Sequence, residues 1–419
     1  MHIAIVTTEF ITDRSYAGGL ANYTYRIAKS LINLGVKVTV VYLQSLKATG
    51  FQRFEDIDIY YACRVQPLPK AFVGGLKKVL GYFPFCNGLR SEVDRFLLLL
   101  SVAYGIRSAI DNISSEDFVD IVHYTHLRGA GALHDSQRPS LVRLSSHRNL
   151  LLAFGFPYTS ISERFFEDIA LLRSDSMIAP SSFVGNYAER KYKRKVKIVP
   201  SPYMAMESFS ITQSVANTLI VEPYALYFGS ICTWKGIVSL VHALMVFFEE
   251  NTLHHFYFIG RSLGFIEGIK PKEYISSKLS SHNSRVHILD SLPHSELYPY
   301  IEKADFICLP LLADNFPNVV LEAMALRKCI ISTHGHGVDD QLTDKVNCVL
   351  VPPNDSDALS KKMIEVSRMT PDTRAAYGHK AFESLQRFTP EICGRLLLEE
   401  YRLTVCGRIT NNNGRGRCG

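Results

Sequence analysis

Residues 314–322 decide the fold, because they place two carboxylates at the ends of a short turn that follows a buried strand. They read Asp314, Asn315, Phe316, Pro317, Asn318, Val319, Val320, Leu321 and Glu322. The apolar run Phe306–Leu311 before them predicts the strand, and Val319–Leu326 predicts a helix. The first N–H groups of that helix would attract an anion, and the two acids can accept hydrogen bonds from hydroxyl groups. The alternative interpretation is that Asp314 and Glu322 are ordinary acids of a helix cap and the protein surface.

Strands and helices alternate on both sides of this stretch. Strand Ala225–Phe228 is followed by a turn that ends in Lys235 and Gly236, and then by helix Ile237–Glu249. Another apolar run, Phe256–Gly260, predicts the next strand. This spacing predicts a parallel, doubly wound α/β sheet, in which ligands bind beyond the carboxyl ends of the strands. Each of these polar turns follows such an end.

This order of motifs resembles the C-terminal half of the retaining glycosyltransferases of family 4, which have the GT-B fold. The resemblance rests on the turn at Lys235, on residues 314–322, and on the segments 333–340 and 346–355. It implies two Rossmann-like, doubly wound α/β domains that face a central crevice. It also implies a hexosyltransferase that takes a sugar from a nucleotide-diphosphate donor.

The length and composition allow two domains. The chain has 419 residues, of which 47% are apolar and 21% are charged, so it can bury two cores. By resemblance, residues 1–205 form the acceptor-side domain, with a linker to about 222, and residues 223–387 form the nucleotide-sugar domain. Residues 388–405 are predicted to return as a helix to the first domain. Residues 406–419 have few apolar side chains and are predicted to be a disordered tail.

The resemblance also implies roles for individual residues of the second half. Lys235 would neutralise the leaving diphosphate, and Glu322 would bind the ribose hydroxyls. The nucleobase would lie near Asp290–Pro293. Asp314, where the family usually has glutamate, would face the transferred sugar. The family pairs Lys235 with an arginine at the position of Ser230, so another cation, such as Arg261, would have to compensate. The predicted donor-binding residues are Gly18, Gly19, Ser230, Lys235, Asp314, Asn315, Phe316, Pro317, Asn318, Val319, Val320 and Glu322.

The first half begins with strand His2–Val6, a loop that ends in Gly18 and Gly19, and helix Leu20–Leu34. The full Gly-x-Gly-x-x-Gly fingerprint is absent, which disfavours a nicotinamide dehydrogenase. In the resembling family the matching glycines contact the diphosphate and sugar of the donor.

His147 is the candidate on this side of the crevice. Ser145 is an open alternative for the same position, and His126, which ends a neighbouring strand, is a second alternative. The predicted catalytic residues are His147, Lys235 and Asp314.

The remaining features bear on cofactors, partners and compartment. The resemblance implies no metal and no cofactor beyond the nucleotide sugar as co-substrate. Nine scattered cysteines predict a reducing compartment, and neither a signal peptide nor an apolar run of about 20 residues is evident. The basic run Arg190–Lys197 leaves contact with an anionic membrane open, whereas no motif predicts nucleic-acid binding. A cytoplasmic protein, peripheral to the inner face of a membrane, with a glycan or lipid-linked acceptor is expected.

Two other classes stay open at this stage. A non-catalytic subunit that binds nucleotide sugars is suggested by Ser230, and also by Arg327 and Cys329, where the family usually has glycine and proline. A GT-B nucleotide-sugar epimerase or a phosphorylase would share the fold. An epimerase would act without an acceptor, and a phosphorylase would need a cofactor lysine for which no motif is found.

Overall fold

The computed structural model describes residues 1–11, 19–43, 49–81, 87–135, 137–145, 160–204 and 220–415. The chain divides into two compact units. The first unit consists of Met1–Pro202 and Pro390–Gly419, and the second unit consists of Tyr203–Thr389.

The first unit is built on one sheet. Its strands are β1 (His2–Thr7), β2 (Lys37–Leu43), β3 (Gly50–Phe54), β4 (Ile57–Ala62), β5 (Ile121–Thr125), β6 (Ser140–Arg143), β7 (Ser176–Ala179) and β8 (Lys197–Ile198). Over the described residues their order is β3-β4-β2-β1-β5-β6-β7-β8. Neighbours pair in parallel, except that β3 and β4 form an antiparallel edge hairpin. β1 and β5 are buried along their whole length, as expected of central strands in a parallel sheet.

Helices cover both faces of this sheet. They are α1 (Gly19–Asn33), α2 (Lys70–Gly81), α3 (Asn87–Glu116), α4 (Ile161–Arg173) and α5 (Ser182–Tyr192). Apolar residues of α1 such as Ile27 and Leu31 pack in the same core as Ile3 and Ile5 of β1. Ser160 caps α4, because its hydroxyl accepts from the Glu163 N–H at 3.2 Å.

Helix α3 is long and apolar enough, by length and composition, to cross a membrane over Gly88–Glu116. The sequence expectation missed this, because Ser101 and Arg107 interrupt its apolar runs. Half of its most apolar window is buried in the protein. Val102 and Ile106 pack in the core of the first unit, as in a core helix of a globular domain.

The second unit has a six-stranded parallel sheet over the described residues. Its strands are β9 (Tyr224–Phe228), β10 (His255–Ile259), β11 (Val286–Leu289), β12 (Phe306–Leu309), β13 (Ile330–Thr333) and β14 (Val349–Val351). Its helices are α6 (Ile237–Glu250), α7 (Pro271–Lys278), α8 (His294–Lys303), α9 (Asn318–Ala325), α10 (Ser356–Ser367) and α11 (Pro371–Leu385). The strand order is β11-β10-β9-β12-β13-β14. The direction of winding therefore reverses between β9 and β12, which makes the carboxyl ends of these two strands the switch point where ligands bind in such sheets.

The last helix, α12 (Pro390–Arg415), belongs to the first unit. Its apolar residues Leu397, Leu398 and Tyr401 complete the core around β1 and β2. The helix extends beyond residue 405, where the sequence predicted its end, and into the segment predicted to be disordered. Arg408 accounts for part of this extension, because its guanidinium forms an ion pair with Asp175 at 2.6 Å.

Candidate functional site

The turns that follow β9 and β12 meet at the switch point of the second sheet. The N–H of Leu312 donates to the carbonyl of Trp234 at 3.1 Å, which joins the two turns through the backbone. The ammonium group of Lys235 forms an ion pair with the carboxylate of Asp314. Both side chains are mostly covered by the protein. The structure therefore brings together the two residues of the second half that the sequence selected as catalytic.

Glycine at position 236 makes this close approach of the turns feasible. Gly236 has a φ of +78°, in the left-handed region that favours glycine. A Cβ atom built on it would lie 1.7 Å from the carbonyl oxygen of Pro310, at the end of β12. Any side chain here would push the turn that carries Lys235 away from the turn that carries Asp314.

A second close approach brings the end of β9 to the start of α9. A Cβ atom on Gly260, at the end of β10, would lie 1.8 Å from the carbonyl oxygen of Gly229. A Cβ atom on Gly229 would lie 3.1 Å from Val319 in the first turn of α9. The backbone at Gly229 therefore lies directly before the N-terminus of α9, where the partial positive charge of the helix favours a phosphate group.

The 314–318 turn is held from within and from the following loop. The Asp314 carboxylate accepts from the Phe316 N–H at 3.2 Å, and the Asp314 carbonyl accepts from the Gly337 N–H at 2.9 Å. The buried ring of Phe316 packs edge-on against Phe388 at 5.3 Å. One oxygen of Asp314 thus orients the turn while the other holds Lys235.

Glu322 lies one turn further along α9, beside a residue that the sequence analysis missed. Its carboxylate is 3.8 Å from Nε2 of His294, the first residue of α8. The sequence analysis placed the nucleobase near Asp290–Pro293, and His294 follows that segment directly. A polar residue after a proline at a strand-to-helix turn was the signal that could have selected His294.

The loop after β13 supports the turn at Asp314. His336 is buried, and its Nε2 lies 2.9 Å from the carbonyl oxygen of Leu311 and 3.0 Å from the Thr333 hydroxyl. Burial lowers the pKa of His336, which favours the neutral ring. The Asp339 carboxylate accepts from the Gly335 N–H at 2.8 Å, so it stabilises the loop itself. These contacts give His336 and Asp339 structural roles in the described geometry.

Ser230 and Arg261 lie on adjacent segments beyond β9 and β10. The carbonyl of Ser230 accepts from the Tyr227 hydroxyl at 2.6 Å. The next residue, Ile231, donates its N–H to the carbonyl of Arg261 at 2.9 Å. Arg261 is exposed, so its guanidinium is accessible to an anion.

The structure describes only one of the three site residues that were predicted in the first half of the chain. Gly18 and His147 lie outside the described residues. Gly19 is exposed and begins α1. The two alternatives to His147 contact each other, because the Ser145 N–H donates to Nδ1 of the buried His126 at 3.1 Å. Among the residues that the structure describes, no group of three or more His, Cys, Asp or Glu side chains is arranged to hold a metal ion.

Two family models match successive parts of the chain. Residues 17–203 match the model described as Glycosyltransferase Family 4, and residues 222–368 match the model described as Glycosyl transferases group 1. The chain belongs to glycosyltransferase family 4. The sequence prediction of a transferase enzyme of this family is confirmed. Lys235, Asp314 and Glu322 all lie within the second matched segment of this glycosyltransferase.

Two curated relatives are glycosyltransferases with different acceptors. The glycosyltransferase is 22% identical over 263 residues to a Campylobacter jejuni α-1,4-N-acetyl-D-galactosaminyltransferase that is named for an undecaprenol-diphosphate-linked acceptor. That match covers 62% of this chain and 67% of the relative. A D-inositol 3-phosphate glycosyltransferase of Kribbella flavida is 28% identical over 111 residues, and that match spans only 26% of either protein.

Solved structures confirm the predicted GT-B fold. Sucrose-phosphate synthase from Thermosynechococcus elongatus superposes with a TM-score of 0.72 at 17% identity, covering 97% of this chain and 99% of that protein. Anabaena HepE, solved with UDP and glucose, superposes with a TM-score of 0.63 at 16% identity, covering 96% and 99%. At these identities the likeness concerns the fold alone.

Proposed function

We propose that this family 4 glycosyltransferase moves a hexose-type sugar from a nucleoside-diphosphate donor to a hydroxyl of a glycan or lipid-linked acceptor. Retention of the anomeric configuration and a role in cell-surface polysaccharide or glycoconjugate synthesis are parts of the proposal. The observation that carries it is the ion pair of Lys235 with Asp314 at the switch point of the second sheet. A cation and an acid held together at a ligand-binding edge suit a donor that has both phosphates and hydroxyls.

Lys235 would act on the leaving group. When the anomeric C–O bond breaks, its electron pair stays on the diphosphate oxygen, and a nearby ammonium group stabilises that charge. The acceptor oxygen bonds to the anomeric carbon on the same face, and the acceptor proton passes to the departing phosphate. Diphosphate competes with Asp314 for Lys235, which leaves the Asp314 carboxylate able to accept from a sugar hydroxyl.

Arg261 would supply the second cation that family members carry at the position of Ser230. The backbone bond between Ile231 and Arg261 holds the two segments side by side, so a guanidinium from the β10 loop can reach the region that an arginine at 230 would occupy. Arginine also binds phosphate oxygens through two parallel N–H donors. The diphosphate would then lie between Lys235, Arg261 and the N-terminus of α9.

Glu322 and His294 would bind the nucleoside. A glutamate carboxylate accepts from two vicinal hydroxyls, as a ribose presents. His294 lies close enough to orient that carboxylate, at 3.8 Å between Nε2 and Oε1. Its place at the end of the β11 segment puts it where the sequence analysis expected the base.

A lipid-linked acceptor is supported by an apolar surface on the first unit. Leu89 and Phe96 of α3 and Ile161, Phe165 and Leu172 of α4 are exposed large apolar residues, spaced so that each helix presents them on one face. The rings of Phe96 and Phe165 are 6.4 Å apart, which joins the two faces. Such a surface suits shallow insertion at the inner face of a membrane, where lipid-linked acceptors are found. The Campylobacter relative, named for such an acceptor, agrees with this proposal.

Calorimetry across UDP-, GDP- and ADP-sugars tests the donor site, because donor identity narrows the pathway most. We expect one nucleotide class to bind in the micromolar range, and Lys235→Ala to weaken it. The bound donor is then incubated with lipid-linked and free glycan acceptors, and the product anomer is determined by NMR. Binding by none of the three classes would remove the donor-site assignment, and a product of inverted configuration would remove retention.

A further inference from the structure

A basic cavity of about 240 Å³ lies in the second unit, away from the donor site. Ala304 and Asp305 directly precede β12, and Lys328 and Cys329 directly precede β13. The cavity is therefore at the amino ends of these strands, whereas Lys235 and Asp314 are at carboxyl ends. No part of the proposed transfer reaction uses it.

The charged residues of this cavity leave an excess of positive charge. They are Lys303, Asp305, Arg327, Lys328 and Arg374. Asp305 is paired twice, because one oxygen is 2.7 Å from the Arg374 guanidinium and the other is 3.4 Å from Nε2 of His254. These contacts hold the pKa of Asp305 below its ordinary value against the opposing effect of burial. The one acid among these lining residues is thus paired within the protein, and cationic side chains outnumber acidic ones in the lining.

Arg327 reaches the cavity from a strained backbone position. Its φ is +53°, a left-handed conformation that is unfavourable for residues other than glycine. A Cβ atom on Gly378 of α11 would lie 1.8 Å from the Arg327 carbonyl oxygen, so the helix packs tightly on this turn. The guanidinium lies 4.3 Å from the Phe382 ring centroid. Stacking on a ring leaves the N–H groups at the edge of the guanidinium available to an acceptor.

Lys328 and the first turn of α11 contribute the other donors. The Lys328 ammonium donates to the Glu302 carbonyl at 2.8 Å, and an ammonium group has three donors. Burial lowers the pKa of Lys328 while nearby Asp305 raises it, and a bound anion would favour its charged form further. Pro371, at the start of the fifteen-residue helix α11, lines the same cavity. The N-terminal end of this helix therefore lies against the cavity, where Asp372 in the first turn offsets part of its positive charge.

We propose that this cavity binds a phosphate group, carried by orthophosphate or by a small phosphomonoester, at a site separate from the donor site. The Arg327 guanidinium fixed by stacking, the Lys328 ammonium group and a helix N-terminus match the tetrahedral oxygens and negative charge of phosphate. The volume exceeds the about 30 Å³ share of one water molecule several-fold, so a phosphate and part of an attached group can enter.

The test is a calorimetric titration of the full-length protein with inorganic phosphate at constant ionic strength, using chloride as the reference anion. We expect saturable binding by the wild type and at least about tenfold weaker binding by Arg327→Gly, since a hydrogen bond from a charged donor to the anion is lost. Glycine suits the φ of this position, so Arg327→Gly should fold at least as well as the wild type. Arg368→Gly is the matched control, because Arg368 is an exposed arginine of the same unit that pairs with Glu250. It should bind phosphate like the wild type.

Two further experiments distinguish the cavity from the donor site and a lipid-bound phosphate from a soluble one. Lys235→Ala should keep the phosphate response, which distinguishes the cavity from the donor site. Flotation with phosphatidic acid vesicles, against phosphatidylcholine vesicles, distinguishes a phosphomonoester carried by a lipid from a soluble ligand. Vesicle binding that depends on Arg327 would support the cavity with a lipid as the phosphate source. No response to phosphate or to anionic vesicles, or a response that Arg327→Gly retains in full, would overturn the proposal.

Discussion

Lys235 and Asp314 form an ion pair although they are separated by seventy-nine positions in the chain. One follows β9 and the other follows β12, and these neighbouring strands flank the point where the winding of the second sheet reverses. The pair fixes the ammonium group at the edge where the diphosphate is proposed to bind. It also holds the acid that is proposed to face the sugar, so one contact positions the groups that would bind the diphosphate and the sugar of the donor.

Replacing Lys235 with Ala should lower turnover by roughly 100-fold or more, as expected for the loss of a preorganised contact to the leaving group. The measurement is kcat with the identified donor and acceptor, together with circular dichroism to show that the fold is kept. Lys362→Ala is the control, because Lys362 forms an exposed pair with Glu365 in the same unit. Turnover near that of the wild type in a folded Lys235→Ala variant would exclude Lys235 from the site.

Replacing Glu322 with Gln should also cut turnover by roughly 100-fold, because the amide keeps the size of the side chain but loses the charge and one acceptor oxygen. His294→Gln should act mainly on KM for the donor, by roughly tenfold, since His294 is proposed to position Glu322 and the nucleoside. Steady-state kinetics with varied donor concentration separate the two effects. Equal loss of kcat in both variants, with KM unchanged, would contradict the proposed nucleoside contact.

Much of the second sheet could be predicted because its strands are continuous apolar runs between turn residues. The predicted strands Ala225–Phe228 and Phe306–Leu311 differ from β9 and β12 by only one or two residues at one end. Fully buried parallel strands give this strong signal. Their polar ends could be assigned to one edge of the sheet from topology, and the family resemblance then gave Lys235 and Asp314 their predicted roles.

Features that depend on exposure or on tertiary distance could not be predicted. The edge hairpin of β3 and β4 was missed because β3 is largely exposed and the turn between the strands uses Glu55 at a φ of +54°. The contact between Glu322 and His294 depends on how α8 and α9 pack, and no local pattern encodes that distance.

Gly236→Ala should lower both stability and turnover. The left-handed φ of +78° costs alanine about 1–2 kcal/mol, and the short distance to the Pro310 carbonyl forces the turn to move. We expect the melting temperature to fall by about 4 °C or more, given the size of the second unit, and kcat to fall because Lys235 moves with the turn. Gly264→Ala is a matched control. Gly264 has a φ of +70°, but a Cβ atom built on it would meet no atom of the described residues within 4 Å. Equal effects of the two substitutions would show that the contact with Pro310 is unimportant.

Acidification should destabilise the first unit through His123. This ring is fully buried on β5, with Nδ1 2.5 Å from the Tyr401 hydroxyl, and it faces Tyr23 and the buried cation Arg143. Burial, and secondarily Arg143, lower the pKa of His123 to about 3. Because the pKa of His123 is lower in the folded protein, the contribution of its neutral ring to the free energy of unfolding is complete above the unfolded-state pKa of about 6.5. That contribution is lost as the pH falls toward 3.

Urea unfolding measured between pH 7 and pH 4 tests this expectation. Because His123 binds a proton only in the unfolded state over this range, it should add a slope of up to about 1.4 kcal/mol per pH unit to the free energy of unfolding. His123→Asn retains a partner for Tyr401 but cannot titrate, so its unfolding free energy should depend less on pH. Identical slopes in the two proteins would show that His123 does not control the acid response.

Activity should survive removal of divalent metal ions. The proposed mechanism neutralises the leaving diphosphate with Lys235, Arg261 and the N-terminus of α9. Turnover is compared before and after EDTA treatment and dialysis, with manganese and magnesium restored separately. An activity that vanishes with chelator and returns with manganese would contradict metal independence.

The return of the chain to the first unit determines when each unit can finish folding during synthesis. The second unit is complete once Thr389 has left the ribosome, and its two ends are already joined by the bond from the Tyr203 N–H to the Phe388 carbonyl at 2.7 Å. The first unit still lacks Leu397, Leu398 and Tyr401, which close its core over Ile3 and Ile5. Domains usually fold in the order in which they emerge. Here the later domain can reach its native state first, and the half made earliest must wait, with apolar surface uncovered, for the last helix of the chain.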